Sequence, residues 1–260
     1  MTSKFRPILF AAAASAALLC PSTAHALEFV TFGVGFIGQA GGNFLDKPDD
    51  QTIQGRVVTP EYPGFAGLMT GVGGFIDIRF IDYVGIELDV YSASHKGSAD
   101  FTVYNKTTDT ESSHDVEISN SALHIPLLIK GAIPGEIVTP VLFVGPEFVL
   151  PGDSEIAVTP AMGGSGANFG VVADLESYTV VTFGLGMEFN LPIPGDVVGV
   201  RIPLTLRGSV DPGSPNTREE RSSIYDVQTG ADGRVTAYTE DYKNRWKFQA
   251  LATLGASVHF

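Results

Sequence analysis

Histidine set beside a hydroxyl or a carboxylate is a common device for acid–base and nucleophilic chemistry, and beyond its N-terminal apolar segment this chain offers His95, His114, His124 and His259. His259 shares the parity of Ser257, two residues before it, but at the end of a strand the pair reads as polar filling rather than as an activated nucleophile. His95 and His114 flank a long connection beside Asp100 and Asp115, a spacing that chance accounts for. There is no HExxH, no cysteine cluster and no glycine-rich phosphate loop. Asp49-Asp50 and Asp211 could touch a cation, but nothing has the spacing of an EF-hand loop. The residues predict no catalytic group, no metal ligand set and no cofactor.

A second set of chemical residues is more orderly. Asp77, Arg79, Glu87, Asp89, Lys130, Glu147, Glu188, Arg201, Arg207 and Lys247 all fall on the polar parity of alternating segments. Five acids meet five bases. Buried charge is costly unless paired, so ten such groups facing one narrow interior predict a salt-bridge network, with Asp77 and Arg79 as same-face neighbours and Glu87 and Asp89 on the next strand.

The elements that carry these residues have a period of two. Val30, Phe32, Val34 and Phe36 alternate with Thr31, Gly33 and Gly35; Val72, Ile76, Ile78 and Phe80 with Gly71, Gly73, Asp77 and Arg79; Val84 to Val90 with Gly85, Glu87 and Asp89. The same pattern recurs at 123–130, 142–148, 181–190, 200–207 and 246–260, where Leu251 alone breaks parity. This predicts eight strands, each with an apolar and a polar face. The polar parity also carries Gly33, Gly35, Gly71, Gly73, Gly145, Gly184, Gly186 and Gly255. A narrow lumen needs small residues beside long charged ones, whereas a solvated face has no such need, so the apolar parity is the one expected to face lipid.

Short and long connections alternate. Short ones lie around Ile81-Asp82-Tyr83, Ile133-Pro134-Gly135-Glu136 and Ile193-Pro194-Gly195-Asp196, and Pro-Gly suits the centre of a type II turn. Long ones run over 41–68, 93–121, 151–176 and 212–244. Within them, Tyr225–Thr229 and Arg234–Tyr238 around a Gly-rich tip read as a hairpin, and Asp100–Tyr104 with Asp115–Ile118 as strand extensions. Counting such pairs as wall strands would give ten instead of eight.

The chain's two ends name a compartment. Lys4 and Arg6, the apolar run Ile8–Cys20 and Ala24-His25-Ala26 read as a cleaved secretory signal over residues 1–26, leaving 27–260 as one domain without cysteine. The formal net charge is −13, and losing Lys4 and Arg6 makes it two more negative. Nucleic acid is therefore an unexpected partner. No later run of about 18 apolar residues exists, so a membrane could be spanned only by strands, which need about 9 to 11 residues each when tilted. The closing strand, ending on Val258 and Phe260, resembles the C-terminal strand of Gram-negative outer-membrane barrels. Leu123-His124-Ile125-Pro126-Leu127-Leu128-Ile129-Lys130 followed by Pro140–Pro146 resembles small eight-stranded outer-membrane barrels of the OmpA-transmembrane-domain or PorT type, with His124 where such families commonly have an acid.

That resemblance implies an all-β, transmembrane, antiparallel up-and-down barrel with short periplasmic turns and four long extracellular loops, located in the outer membrane. It implies outer-membrane lipid and lipopolysaccharide as surroundings, periplasmic chaperones in transit, and barrel-insertion machinery that reads Phe260 and Val258. It leaves three roles open: a side-chain-filled barrel whose acidic loops serve envelope integrity, adhesion or ligand binding; a lipid-modifying acyl hydrolase or transferase; and a narrow passive pore. A soluble lipocalin-like binder is the reading in which the two faces exchange places.

Overall fold

Alternation of apolar and polar residues has one low-energy outcome when both faces must be satisfied: strands paired edge to edge until no edge is left. A computed structural model of the chain describes residues 30–45, 52–53, 56–57, 66–105, 110–159, 177–191, 198–212, 221–229, 235–243 and 246–260. The expected signal, residues 1–26, lies outside the described residues, as do parts of the connections. Among the described residues there are twelve strands: β1 (Val30–Leu45), β2 (Thr52–Ile53), β3 (Arg56–Val57), β4 (Ala66–Phe80), β5 (Val84–Asn105), β6 (Thr110–Ala132), β7 (Val138–Thr159), β8 (Tyr178–Leu191), β9 (Gly199–Val210), β10 (Arg221–Thr229), β11 (Val235–Lys243) and β12 (Trp246–His259).

Eight of them form a closed barrel in the order β1-β12-β9-β8-β7-β6-β5-β4, every neighbour antiparallel. β1 and β12 close it, with Gly33 opposite His259 and Ala40 opposite Ala252. The remaining strands are two separate hairpins, β2–β3 and β10–β11. Tyr225–Thr229 and Val235–Tyr238 thus pair with each other and not with the wall, which makes the number of wall strands eight and not ten.

Burial assigns the faces. Val72, Leu142, Ile129 and Leu206 lie outward and exposed, whereas Asp77, Glu87, Lys130, Glu147 and Gln249 lie inward and buried. Ions inside and hydrocarbon outside is the arrangement of a barrel in lipid, the reverse of a soluble one. Leu251, the exception to parity, is inside, and it is not alone: Ile37, Phe75, Leu128, Val141 and Phe143 also point into the lumen. The interior is therefore a mixture of charged and apolar layers, and inward glycines make room for its large rings. A Cβ on Gly35 would stand 2.6 Å from the Phe75 ring, and one on Gly184 2.4 Å from the Phe143 ring.

Two connections differ from expectation. Gly135 does not have the positive φ that a type II turn requires. The five residues between β6 and β7 are enough to cross without a tight turn, and the carbonyl of Gly135 instead accepts from Asn190 Nδ2 at 2.8 Å. Positive φ falls at Ile81 (54°) and Asp82 (59°) in the β4–β5 link. A β-branched residue is costly there, and Asn-Gly is the pair that fits two consecutive left-handed positions. Replacing Ile81→Asn together with Asp82→Gly should stabilise the barrel by about 1 kcal/mol. A urea midpoint that stays put or falls would show the strain to be compensated elsewhere.

On the loop side the wall is uneven. β5 and β6 remain paired out to Asn105 and Thr110, and β7 follows β6 as far as Asp115 opposite Thr159. Their outer neighbours stop earlier, β4 at Ala66 opposite Ser98 and β8 at Tyr178 opposite Val149. A three-stranded sheet consequently rises beyond the rim. It takes in Asp100–Tyr104 and Asp115–Ile118, and it also takes Pro151–Thr159 out of what the sequence reads as a loop.

Candidate functional site in the barrel lumen

Seven of the ten charges expected inside come together near the turn side of the lumen. Arg79 on β4 binds Asp77 at 2.9 Å and also Glu188 on β8. Lys130 on β6 lies between three carboxylates: Glu87, Glu188 at 2.7 Å and Asp77 at 3.7 Å. Arg207 on β9 reaches Glu87 at 3.0 Å and Asp89, with its guanidinium carbon 5.1 Å from the centre of the Phe143 ring. Four acids and three bases from five strands form one connected, buried cluster. One oxygen each of Asp77 and Asp89 has no hydrogen-bond partner among the described residues.

The other three expected members stand apart. Glu147 is fully buried but lies toward the loop side, in a different layer. Arg201 is only half-buried, and its Nη1 has no hydrogen-bond partner among the described residues. Lys247 is exposed, which corrects its placement in the lumen. Lys247 falls at a bulge in the wall: Phe44 is opposite Phe248 and Leu45 opposite Trp246, while the Lys247 carbonyl accepts from Asp211 N at 3.1 Å.

The layer around Glu147 draws on six strands. Its Oε1 accepts from Tyr91 OH at 2.7 Å and meets His124 Nδ1 at 2.5 Å. Its Oε2 accepts from Thr182 Oγ1 and, at 3.4 Å, from Ser209 Oγ. His124 Nε2 lies 3.0 Å from His95 Nε2, and His95 Nδ1 lies 3.1 Å from Gln249 Nε2. The Tyr91 and His124 rings stack with centroids 4.8 Å apart and planes 7° from parallel. All seven side chains are buried.

Sequence reasoning misses this layer for a traceable reason. The third wall strand reads as ending near Tyr91, which puts His95 in a loop beside His114. In the structure β5 continues, and His95 shares the inward parity of Glu87, Asp89 and Tyr91. Extending that parity by four residues would have found it. The partner of His95 is accordingly His124; His114 pairs in register with Phe101 instead. At the turn side, Ser257 Oγ is 2.8 Å from His259 Nε2, but His259 Nδ1 has no partner among the described residues, so no acid orients the ring.

Beside the charged cluster, Ile37, Phe75, Phe143, Thr205 and Thr253 line, with Glu87, Lys130 and Arg207, a cavity of about 10 Å³, the room of one water. Ions within, an apolar band without, and a filled centre define an integral membrane β-barrel of the smallest even strand number in the outer-membrane class. The chain belongs to the outer membrane protein beta-barrel domain family, whose model matches residues 10–209, and its place is the outer membrane. Among solved structures it is similar to the outer membrane protein OprG from Pseudomonas aeruginosa, with 13% identity over 89% of this chain and 96% of that one, at a TM-score of 0.45. It is also similar to the N-terminal β-barrel domain of Pseudomonas aeruginosa OprF, with 10% identity over 87% and 97% at 0.35. Ail, the attachment invasion locus protein of Yersinia pestis, shows 12% identity over 88% and 99% at 0.29. No curated protein matches the chain at a significant level.

Proposed function

We propose that this barrel is a closed membrane anchor whose business lies on its cell-facing side, where acidic loops and the raised β5–β6–β7 sheet serve envelope integrity, adhesion or ligand binding. The observation that carries the reading is the filled lumen. Two buried polar groups of side chains, with Ile37, Phe75, Leu128 and Phe143, occupy the described lumen, and the cavity beside Glu87, Lys130 and Arg207 holds only about 10 Å³. Asp115, Glu117, Asp153 and Glu155 on the raised sheet are all exposed, so the surface offered to a partner is negative. Outer-membrane lipid and lipopolysaccharide are its surroundings in this reading. Periplasmic chaperones and the barrel-insertion machinery are its partners in assembly, with Val258 and Phe260 as the recognised end.

Planar-bilayer recording with the purified, folded barrel is the direct test. We expect no stable unitary conductance in the wild type, and wide, long-lived openings would replace the anchor by a pore. Removing the loop tips should abolish surface binding without changing heat-modifiable migration. An acyl hydrolase or transferase is the competing role. The hydroxyls of Thr182 and Ser209 bond to a carboxylate, and the His259 imidazole beside Ser257 has no acid among the described residues to orient it, so the lumen does not favour it.

A further inference from the structure

The loop-side layer contains a chain of hydrogen bonds whose direction can be worked out. The Glu147 carboxylate only accepts, so His124 must donate from Nδ1. A neutral His124 then has a bare Nε2, and His95 Nε2 must supply the proton between them. That leaves His95 Nδ1 as an acceptor, and the amide Nε2 of Gln249 donates to it. The order is Gln249 to His95 to His124 to Glu147, with opposite tautomers in the two rings. It crosses the lumen from β12 to β5 and continues through β6 and β7 to Thr182 of β8 and Ser209 of β9.

Two features show what the arrangement can take up. The ring centroids of His95 and His124 are 5.1 Å apart while their Nε2 atoms are 3.0 Å apart. The difference is taken up by the two ring radii, so the nitrogens point at each other. Lone pairs set head-on suit one shared proton; a metal ion on the line between the two nitrogens would need about 2.0 Å to each and so a separation of about 4 Å. Gln249 is completely buried, yet its Oε1 has no hydrogen-bond partner among the described residues. Rotating the amide would bring that acceptor to His95 Nδ1, which is useful only if Nδ1 carries a proton.

We propose that His95, His124 and Gln249 form a binding site for a single proton, with His95 Nδ1 as the loaded atom and the Gln249 amide turning over to hold it. In the loading step a hydronium on the loop side gives its proton to Nδ1, an N–H bond forms, and water is released. The Gln249 N–H bond to Nδ1 is replaced by one from Nδ1–H to Oε1, while the His95–His124 and His124–Glu147 bonds persist. Charge acts on both sides of the exchange: burial and the neighbouring His124 oppose a proton on His95, and Glu147 draws it. Glu147 has only uncharged donors around it in the unloaded state, and the added proton supplies the positive charge that a buried carboxylate otherwise lacks. Among the described residues, the titratable groups facing His95 are His124 from β6, Glu147 from β7 and Tyr91 from its own strand. β4, β1 and β12 present Met69, Gln39 and Gln249, β8 and β9 present Thr182 and Ser209, and Arg207 is engaged by Asp89 and Glu87 in the layer below.

Nitrogen NMR of the full folded barrel in lipid bilayers, with labelled histidine and glutamine, tests this. We expect His124 protonated at Nδ1, His95 at Nε2, and a scalar coupling between the two Nε2 nuclei. On acidification the pair should take up one proton, at His95 Nδ1, in step with a change in the Gln249 amide signals. Equal tautomers, absent coupling, or independent uptake of two protons would each overturn the proposal. In a His95→Phe barrel that keeps its heat-modifiable migration, the Gln249 response should vanish and His124 should keep its Nδ1 proton; a Gln249 response that survives would also overturn it. If that variant does not fold, the wild-type spectra alone decide.

Discussion

Replacing Lys130→Met should destabilise the barrel by about 3–5 kcal/mol, the ordinary cost of removing one partner from a buried ionic group. Its ammonium stands among Asp77, Glu87 and Glu188, and nothing else in the cluster can take its place. Arg79 is already bound to two of those acids and Arg207 to the third. The loss should appear as a lower urea midpoint in detergent and a lower temperature for the heat-modifiable shift. Because the damage is uncompensated charge and not lost volume, adding Glu87→Gln should restore part of the stability. A Lys130→Met barrel within about 1 kcal/mol of the wild type would mean that the cluster is hydrated like a surface ion pair.

The second large effect is expected at Glu147→Leu. The substitution takes away the acceptor of Tyr91, His124 and Thr182 at once, and each donor left dry costs about 1–3 kcal/mol. We expect a loss on the order of 3 kcal/mol or more. Glu147→Gln keeps one acceptor oxygen in place and should lose distinctly less. Equal losses for the two variants would show that the side chain's bulk matters more than its bonds. Double variants with Lys130→Met should be nearly additive, since no ion pair or hydrogen bond described here links the two layers.

The architecture was legible because a membrane barrel imposes one rule on every wall strand. Parity alone assigned Asp77, Glu87, Lys130, Glu188 and Arg207 to one face and Val72, Ile129 and Leu206 to the other, and lipid-facing alternation cannot be satisfied in another register. Where the rule lapses, the reading lapses too. Past Tyr91 the outward residues of β5 turn to Ser92, Ser94, Lys96 and Ser98, so the apolar–polar alternation lapses and His95 passes for a loop residue. Lys247 has the right parity but lies at a bulge in the β1–β12 pairing, where parity lapses. Pairing is a further step away. Parity says that His124 and Glu147 face inward, but the 2.5 Å contact between them depends on strand stagger, which no single strand encodes.

The raised sheet carries one arc of the wall well past its pairings with β4 and β8. From Leu150 to Thr159, β7 runs ten residues beyond its last pairing with β8, which at about 3.3 Å per residue is roughly 30 Å of strand. A neighbour in a crowded membrane therefore meets a parapet along β5, β6 and β7. Rotation about the membrane normal, immaterial for a symmetrical cylinder, becomes a coordinate with consequences: it decides which neighbours are shaded and which are left open to anything arriving from outside the cell.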